Sequence, residues 1–319
     1  YRHIPYIVFN GDIAKKITKL GIELPKPILL PTILLPNEDG SLVATTDSTP
    51  IIRRLENEFT ERRIVPNDPA LAFINYLLED FGDEWVTKYM FHYRWYFKED
   101  ADVAGTILPL VDIGINTPNE MHAKYKEFVS KRQIDRLWVV GSNDDTANFI
   151  DLSYKRFLNL MEEHLLNSSF LLGTKPSSSD FSFYGQLTQL VGFDPTPRKI
   201  AYEYSLRTVA WVDVLDDLSG HDTENTAWTK LEDSPESLKN LLKEVGKMYI
   251  PALLSNAQAL ENGDETWEMK IDNAVWKQKT FPYQAKCLKW IKNEFDLLNQ
   301  EDKKRVLDFL DDTGCETIL

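Results

Sequence analysis

The 319-residue sequence has very little cysteine, with only Cys287 and Cys315. Two cysteines cannot form a disulfide framework and are too few for a structural zinc site. This usage is typical of a reducing compartment, and we therefore expect a cytoplasmic location. Cys287 lies in a helical pattern that predicts burial, whereas Cys315, close to the C-terminus, is the better candidate for an exposed thiol that forms mixed disulfides.

Positive charge and long apolar runs are also scarce. The chain has 36 Lys and Arg against 50 Asp and Glu, a net charge of −14. That balance lacks the cations needed to bind nucleic acid or to dock on an anionic membrane surface. The longest apolar run, Pro27–Pro36, is interrupted by prolines, whereas a membrane helix needs about 20 apolar residues. We therefore expect neither nucleic acid nor a membrane as a partner.

The signatures of several enzyme classes are absent from the sequence. There is no Gly-x-Ser-x-Gly, no His-Glu-x-x-His and no phosphate-binding glycine loop. The histidines show no metal-ligand spacing: His3, His92, His122, His164 and His221. We therefore predict no metal site.

The first 62 residues have the pattern of a small α/β module. Tyr1–Phe9 has the apolar composition of a strand, and the short helical pattern after it ends at Gly21. The turn sequence Asn37–Gly40 separates two apolar runs and predicts a β-hairpin. A second amphipathic helix is predicted from Ser48, so the order is strand, helix, hairpin, helix.

The remainder of the chain is predominantly helical. A polar linker, Arg62–Pro69, leads into a long predicted helix, Leu71–Lys98, and helical periodicity continues to about residue 260. Alternating apolar residues then predict a second hairpin at 265–281. Further helices are predicted at Pro118–Val129, Asn148–Leu166, Leu172–Val191, Thr208–Leu218, Tyr283–Leu298 and Glu301–Leu310.

Two motifs resemble those of cytosolic glutathione transferases. Leu30-Pro31-Thr32, followed by a hairpin and Thr46-Asp47-Ser48-Thr49-Pro50-Ile51, resembles the family's glutathione site, with its cis-proline and its acidic residue and serine at a helix start. Far downstream, the segment Phe170–Asp180 is similar to the capping segment of the family's all-helical domain. Their order and separation match the family, and the resemblance covers about Tyr1–Gly220.

The resemblance implies the fold class α/β + all-α. An incomplete thioredoxin-like domain at 1–62 would precede a helical-bundle domain at 68–319, of which 221–319 is an extension beyond the usual family length. Because Tyr1–Phe9 resembles the family's second strand, the first strand and helix would lie upstream of Tyr1. That piece carries the Tyr, Ser or Cys that activates the glutathione thiol, so the catalytic residue is unknown in this chain.

The glutathione-binding residues implied by the resemblance are Leu30, Pro31, Asp47 and Ser48. A cis bond before Pro31 would turn the Leu30 backbone towards the cysteinyl unit of glutathione. Asp47 and Ser48, with Ser48 at the N-cap, would hold the γ-glutamyl end at a helix N-terminus, which attracts carboxylates. Each feature also has a purely structural interpretation, because Pro31 can simply start a strand and an Asp-Ser pair can simply cap a helix.

Ser177 and Asp180 have the spacing of a capping box, in which each side chain satisfies the backbone N–H group of the other residue. The pair resembles the folding signature of the family. We interpret it as structural and not as a catalytic Ser-Asp arrangement.

The long predicted helix carries a face of charged residues with a spacing of four: Asp80, Glu84, Lys88 and His92. A di-metal site would need a Glu-x-x-His motif from paired helices, which is absent. The simplest interpretation is a solvated, ion-paired face. The resemblance offers another, since the corresponding helix lines the dimer cleft and the electrophile pocket. It makes three residues candidates for the substrate pocket: Tyr89, His92 and Arg94.

The function implied by the resemblance is that of a glutathione S-transferase, in which glutathione thiolate attacks a hydrophobic electrophile. Glutathione would be the co-substrate, no metal is implied, and a homodimer is expected. Two alternatives remain open. One is a non-catalytic glutathione- or ligand-binding interaction module, and the other is a glutathione-dependent thiol reductase, which needs a cysteine in the upstream segment.

Overall fold

The structure, a computed structural model, describes residues 1–9, 13–26, 28, 31–271 and 274–319. The strands are β1 (Thr32–Pro36), β2 (Leu42–Thr46), β3 (Thr266–Ile271) and β4 (Ala274–Lys279). The α-helices are α1 (Ile13–Lys19), α2 (Ser48–Glu58), α3 (Pro69–Phe81), α4 (Thr87–Tyr96), α5 (Lys98–Ile113), α6 (Asn119–Ile134), α7 (Ala147–Asn167), α8 (Ser178–Leu187), α9 (Pro195–Tyr204), α10 (Leu206–Asp216), α11 (Glu236–Glu244), α12 (Ile250–Asn262), α13 (Pro282–Asp296) and α14 (Gln300–Leu310). A small α/β module, α1 to α2, thus precedes a helical region, α3 to α14.

The predicted hairpin of the N-terminal module is confirmed. Strands β1 and β2 pair antiparallel, with Leu34 opposite Ala44. Gly40 in the connecting turn has a φ of 79°, a left-handed conformation that glycine adopts without strain. The turn sequence therefore sets the register of the sheet.

The strand predicted at Tyr1–Phe9 is wrong, because residues 1–9 take part in no strand. Tyr6 and Ile7 are more than 80% exposed. Arg2 forms an ion pair with Glu56 near the end of α2. The segment is thus tied to α2 and does not pair with the hairpin, and apolar composition without a pairing edge does not make a strand.

The long predicted helix is present but is not regular. Helices α3 and α4 are joined without a break by the π-helical segment Gly82–Val86, in which the turn is wider. A Cβ atom on Gly82 would lie 2.2 Å from Ser182 Oγ on α8. Glycine at this position lets α8 approach the centre of the long helix.

Four helices were not predicted from the periodicity: α5, α9, α11 and α12. Prolines obscure the pattern in three of them, with Pro109 inside α5, Pro195 at the start of α9 and Pro251 at the start of α12. Proline in a first turn costs a helix little, because that position has no intrahelical N–H bond to lose.

The core of the helical region is built around α3. Leu77 and Leu78 are fully buried, and apolar side chains lie on every side of this helix. Helices α8, α13 and α14 pack against it. A helix that is apolar all round must be enclosed, and here the C-terminal extension provides part of the enclosure.

The extension, residues 221–319, contains the second predicted hairpin, which is confirmed at β3 and β4. Side chains of β3 alternate between buried and exposed, with Trp267, Met269 and Ile271 inside. The turn Asp272-Asn273 lies outside the described residues. On α14, Arg305 NH2 donates to Asp68 Oδ2 at 2.8 Å, which ties the extension to the start of α3.

The exposed thiol expected at Cys315 is wrong. Its side chain is fully buried, and Sγ donates to the Leu242 carbonyl at 3.2 Å. Burial raises the pKa of this thiol to about 12. The short helix Cys315–Ile318 packs close to Gly246, where a Cβ would meet the Thr313 carbonyl at 2.0 Å. Cys287 on α13 is buried, as predicted.

Among the helices that the structure describes, none combines the length and the apolar character needed to cross a membrane.

Candidate functional site

The Ser177 and Asp180 pair forms the capping box at the start of α8. The Ser177 N–H donates to Asp180 Oδ2 at 2.8 Å, and the Leu171 N–H donates to Oδ1 at 2.7 Å. Both residues are fully buried, and burial raises the pKa of Asp180 to about 6. The pair holds the segment before α8 against the helix and offers nothing to a ligand.

Of the two residues expected near the cysteinyl unit of glutathione, Leu30 lies outside the described residues. Pro31 is exposed and directly precedes β1. Its position fits the start of a strand, and it also leaves Pro31 open to solvent and therefore accessible to a ligand.

Asp47, and not Ser48, is the N-cap of α2. Asp47 Oδ1 accepts from the Thr49 N–H at 3.3 Å, and Ser48 is the first residue of the helix. The backbone of Asp47 has φ 79° and ψ 120°, a conformation that is costly for a residue with a side chain. The expected N-cap is corrected by one residue because the aspartate carboxylate, and not the serine hydroxyl, reaches the free N–H group of the first turn.

The predicted solvated face of the long helix is wrong, because its charged residues are largely buried. Lys88 is 2% exposed and His92 is fully buried. The extension covers this face: Tyr249 donates to Asp80 Oδ2 at 2.5 Å, and Lys88 Nζ donates to Gln278 Oε1 at 3.4 Å.

Carboxylates of this helix gather close to Asp47. Glu79 Oε1 accepts from the Thr49 hydroxyl at 3.0 Å, which joins α3 to the first turn of α2. Burial, reinforced by the charges of Glu79 and Asp47, raises the pKa of Asp83 to about 7. Burial also raises the pKa of Glu84 to about 7, against the lowering effect of Lys88. The start of α2 therefore faces a cluster of acidic side chains, of which Asp83 and Glu84 are only partly ionised at pH 7.

The substrate-pocket candidates on α4 lie in the core. Arg94 makes a two-bond ion pair with Asp194, with Nε to Oδ1 and NH2 to Oδ2 both 2.9 Å. Tyr89 donates or accepts in a buried bond of 2.6 Å with the Ser153 hydroxyl. Such a satisfied ion pair and hydroxyl stabilise packing, and neither residue lines the large cavity described below.

His92 is the third candidate, and it is fully buried. Its Nδ1 lies 2.7 Å from Ser142 Oγ, and its ring stacks on Tyr96 with centroids 4.8 Å apart. Burial lowers the pKa of His92 to about 4, so the ring is neutral at pH 7. His92 is therefore placed in the packed interior as a neutral imidazole.

A cavity of about 450 Å³ lies between α2, α3 and the end of α13, and the sequence analysis missed it. Helix α2 turns Thr49 and Arg53 towards this cavity, and α3 contributes Tyr76. Charged side chains on the inward face of an amphipathic helix were the available sequence signal. The sequence could not predict the third wall, at the end of α13, because that segment lies more than two hundred residues from α2 in the chain.

Within the described ranges, no group of three or more His, Cys, Asp or Glu side chains could hold a metal ion. The gathered carboxylates of α3 and of the π-helical segment therefore form no metal centre there.

Comparison of the chain with protein-family models, with curated proteins and with solved structures gives no match. The resemblance to glutathione transferases consequently rests on the two sequence motifs.

Proposed function

We propose that this chain is a glutathione S-transferase-like protein whose thioredoxin-like N-terminal module binds glutathione at Pro31, Asp47 and Ser48. The observation that carries the proposal is the backbone of Asp47, at φ 79° and ψ 120°. N-cap residues normally have an extended backbone with negative φ. Capping α2 therefore does not require the strained conformation, and strain of this kind is retained mainly where it positions groups for a ligand.

The charges around Asp47 are complementary to the γ-glutamyl end of glutathione. That end is an α-amino acid, with a carboxylate and an ammonium on one carbon. The free N–H groups of the first turn of α2 suit the carboxylate. The carboxylates of Asp47, Asp83 and Glu84, which affect one another electrostatically, suit the ammonium group.

The chemistry of the proposal is attack by the glutathione thiolate on a soft electrophile. The sulfur forms a bond to carbon, and the leaving group departs with the bonding electrons. A thiol has a pKa near 8.5, so about a few per cent is thiolate at pH 7, and the protein must favour the anion. None of the residues named here is assigned the role of stabilising the thiolate, and the described chain contributes binding and orientation.

The two cysteines of this chain are both buried and are poor candidates for the reactive thiol of a reductase. Burial raises the pKa of both Cys287 and Cys315. Neither can supply the reactive thiolate that a reductase needs. A reductase would require a cysteine elsewhere in the protein.

The proposal includes a cytoplasmic homodimer, and the fold restricts how that dimer can form. Helices α13 and α14 pack on α3. The part of the long helix that they cover is unavailable to a second copy. A homodimer would therefore use another face of the helical region.

The decisive experiment is calorimetric titration of the full chain with glutathione, together with Asp47→Ala and Ser48→Ala. Both variants should weaken saturable binding by about tenfold or more, since each removes a polar contact to a charged ligand. The matched control is Asp68→Ala, which removes the unstrained N-cap of α3, where Asp68 Oδ1 accepts from the Leu71 N–H at 2.9 Å. It should lower stability and leave glutathione affinity unchanged.

No binding at millimolar glutathione would overturn the proposal. Binding without conjugation of a chlorodinitrobenzene would instead identify the non-catalytic glutathione-binding module, the alternative on the same scaffold.

A further inference from the structure

The cavity between α2, α3 and α13 has the volume of a small-molecule site, about 450 Å³. Its lining residues do not include Pro31, Asp47 or Ser48, which belong to the proposed glutathione site. The side chains of α2 that face it are spaced by three or four along the helix, so one whole face of α2 is directed into it and not into a filled core. Those residues are Thr49, Ile52, Arg53, Glu56 and Asn57.

The body of the cavity is apolar. Apolar side chains from α2, from α3, from the linker before α3 and from the residues just after α13 form its walls: Ile52, Val65, Ala72, Phe73, Leu297 and Leu298. An apolar body that displaces water from these walls gains free energy in proportion to the area buried. The cavity thus suits a ligand with a hydrocarbon portion.

Two arginines provide open hydrogen-bond donors. Arg53 NH1 donates to Glu294 Oε1 at 2.8 Å, and the guanidinium lies over the Tyr76 ring at 5.0 Å. Arg63 donates through Nε to Glu56 Oε2 at 3.0 Å. Within the described chain, the other N–H groups of both guanidinium groups have no hydrogen-bond partner.

Two of the glutamates that face the cavity, Glu56 and Glu79, already accept several hydrogen bonds. Glu56 accepts from the backbone N–H groups of Ile64 and Val65, at 3.2 and 3.3 Å, in addition to its arginine partners. Glu79 accepts from the hydroxyls of Thr49 and Ser178. The open arginine donors therefore favour a ligand that brings its own oxyanion.

We propose that this cavity binds an amphipathic organic anion, with a carboxylate or sulfonate head at Arg53 and Arg63 and an apolar body against Phe73 and Leu298. The planar guanidinium presents paired N–H groups that match the two oxygens of a carboxylate. Tyr76 holds the Arg53 guanidinium by stacking, so the donor is oriented before the ligand arrives. This site acts independently of glutathione.

The test is calorimetric titration of the full chain with decanoate below its micelle concentration, alongside decanol. Decanoate should bind saturably, and decanol should bind at least about tenfold more weakly because it lacks the charge. Arg53→Gln should reduce decanoate affinity by a similar factor. The matched control is Arg54→Gln, since the adjacent arginine pairs with Glu58 on its own helix at 2.6 Å and does not line the cavity.

A second variant tests volume separately from charge. Ala72→Phe should fill the cavity and abolish decanoate binding while both arginines remain in place. Asp47→Ala should leave decanoate binding intact, so failure of the glutathione site and failure of this site are distinguishable. The proposal is overturned if decanoate does not bind, if Ala72→Phe binds it as tightly as the parent, or if Arg53→Gln and Arg54→Gln behave alike.

Discussion

The N-terminal module and the helical region use their side chains in opposite ways. In the module, the hairpin leaves Leu42 44% exposed and Val43 41% exposed. In the helical region even charged side chains are enclosed, with Lys88 at 2% and Asp100 at 0% exposure. Two strands and two short helices have too little surface to form a core of their own, whereas helices α8, α13 and α14 of the helical region pack around α3.

This difference assigns stability mainly to the helical region and ligand binding mainly to the edge of the N-terminal module. The helical region supplies the packed core, while the module supplies the half-buried helix start at Asp47 and one wall of the cavity. Ligand sites generally lie in parts of a protein with few buried contacts, because a fully packed region cannot admit a ligand. The boundary between the two regions, α2 against α3, is where both proposed sites lie.

The largest expected effect on stability appears when one apolar residue from each region is replaced by alanine. Phe81→Ala in α3 removes a ring that is 1% exposed and contacts Phe157, Phe183 and Tyr249. We expect it to lower the free energy of unfolding by about 3–5 kcal/mol, as for other buried Phe→Ala changes. Leu42→Ala in the hairpin should change it by about 0.5 kcal/mol or less.

Urea denaturation of the parent and both variants measures this contrast. Equal losses from the two substitutions would contradict the division between a packed region and an open module.

The second effect is the pH dependence created by the buried carboxylates. Because the folded-state pKa values of Asp83 and Glu84, about 7, lie above their unfolded values near 4, the folded protein binds more protons between pH 4 and 7. Their contribution to stability is therefore fully present below pH 4 and is lost as the pH rises to 7. Asp83→Asn combined with Glu84→Gln should remove about 2 kcal/mol or more of this dependence.

The measurement is urea denaturation from pH 4.5 to 8 for the parent and the double variant. The quantity to compare is the difference in unfolding free energy between the parent and the double variant at each pH. This difference cancels the contribution of His92, whose pKa burial lowers to about 4 and which therefore lowers stability as the pH falls below 6.5. The control Glu120→Gln changes a carboxylate that is 84% exposed and should keep the slope of the parent. Parallel curves for the parent and the double variant would mean that these carboxylates do not titrate in this range.

Local signals in the sequence were sufficient for some elements. The turn Asn37–Gly40 predicted the first hairpin, and the spacing of Ser177 and Asp180 predicted the cap of α8. In each case the residues that define the feature also make its hydrogen bonds, within four positions along the chain. The start of α2 was predicted for the same reason, with an error of one residue at the cap.

Burial of the long helix could not be predicted in this way. Spacing indicated that Asp80, Glu84, Lys88 and His92 share a face, but not what covers that face. The covering groups, including Tyr249 and Gln278, are more than 150 residues away in the chain. The resemblance made Tyr89 and Arg94 pocket candidates, and the sequence could not show that their partners are Ser153 and Asp194, from distant helices.

The smallest expected effect on stability is at Asp47, where the two roles of the module can be separated. Asp47→Gly removes the N-cap carboxylate, which costs about a few tenths of a kcal/mol, and the added glycine costs about 0.4–1 kcal/mol through the greater freedom of the unfolded chain. It also relieves the positive φ of 79°, which costs a side-chain-bearing residue about 1 kcal/mol or more. We expect these effects to offset, so that the free energy of unfolding changes by about 0.5 kcal/mol or less while glutathione affinity falls. A large loss of stability would show that Asp47 serves the fold, and an unchanged affinity would remove it from the glutathione site.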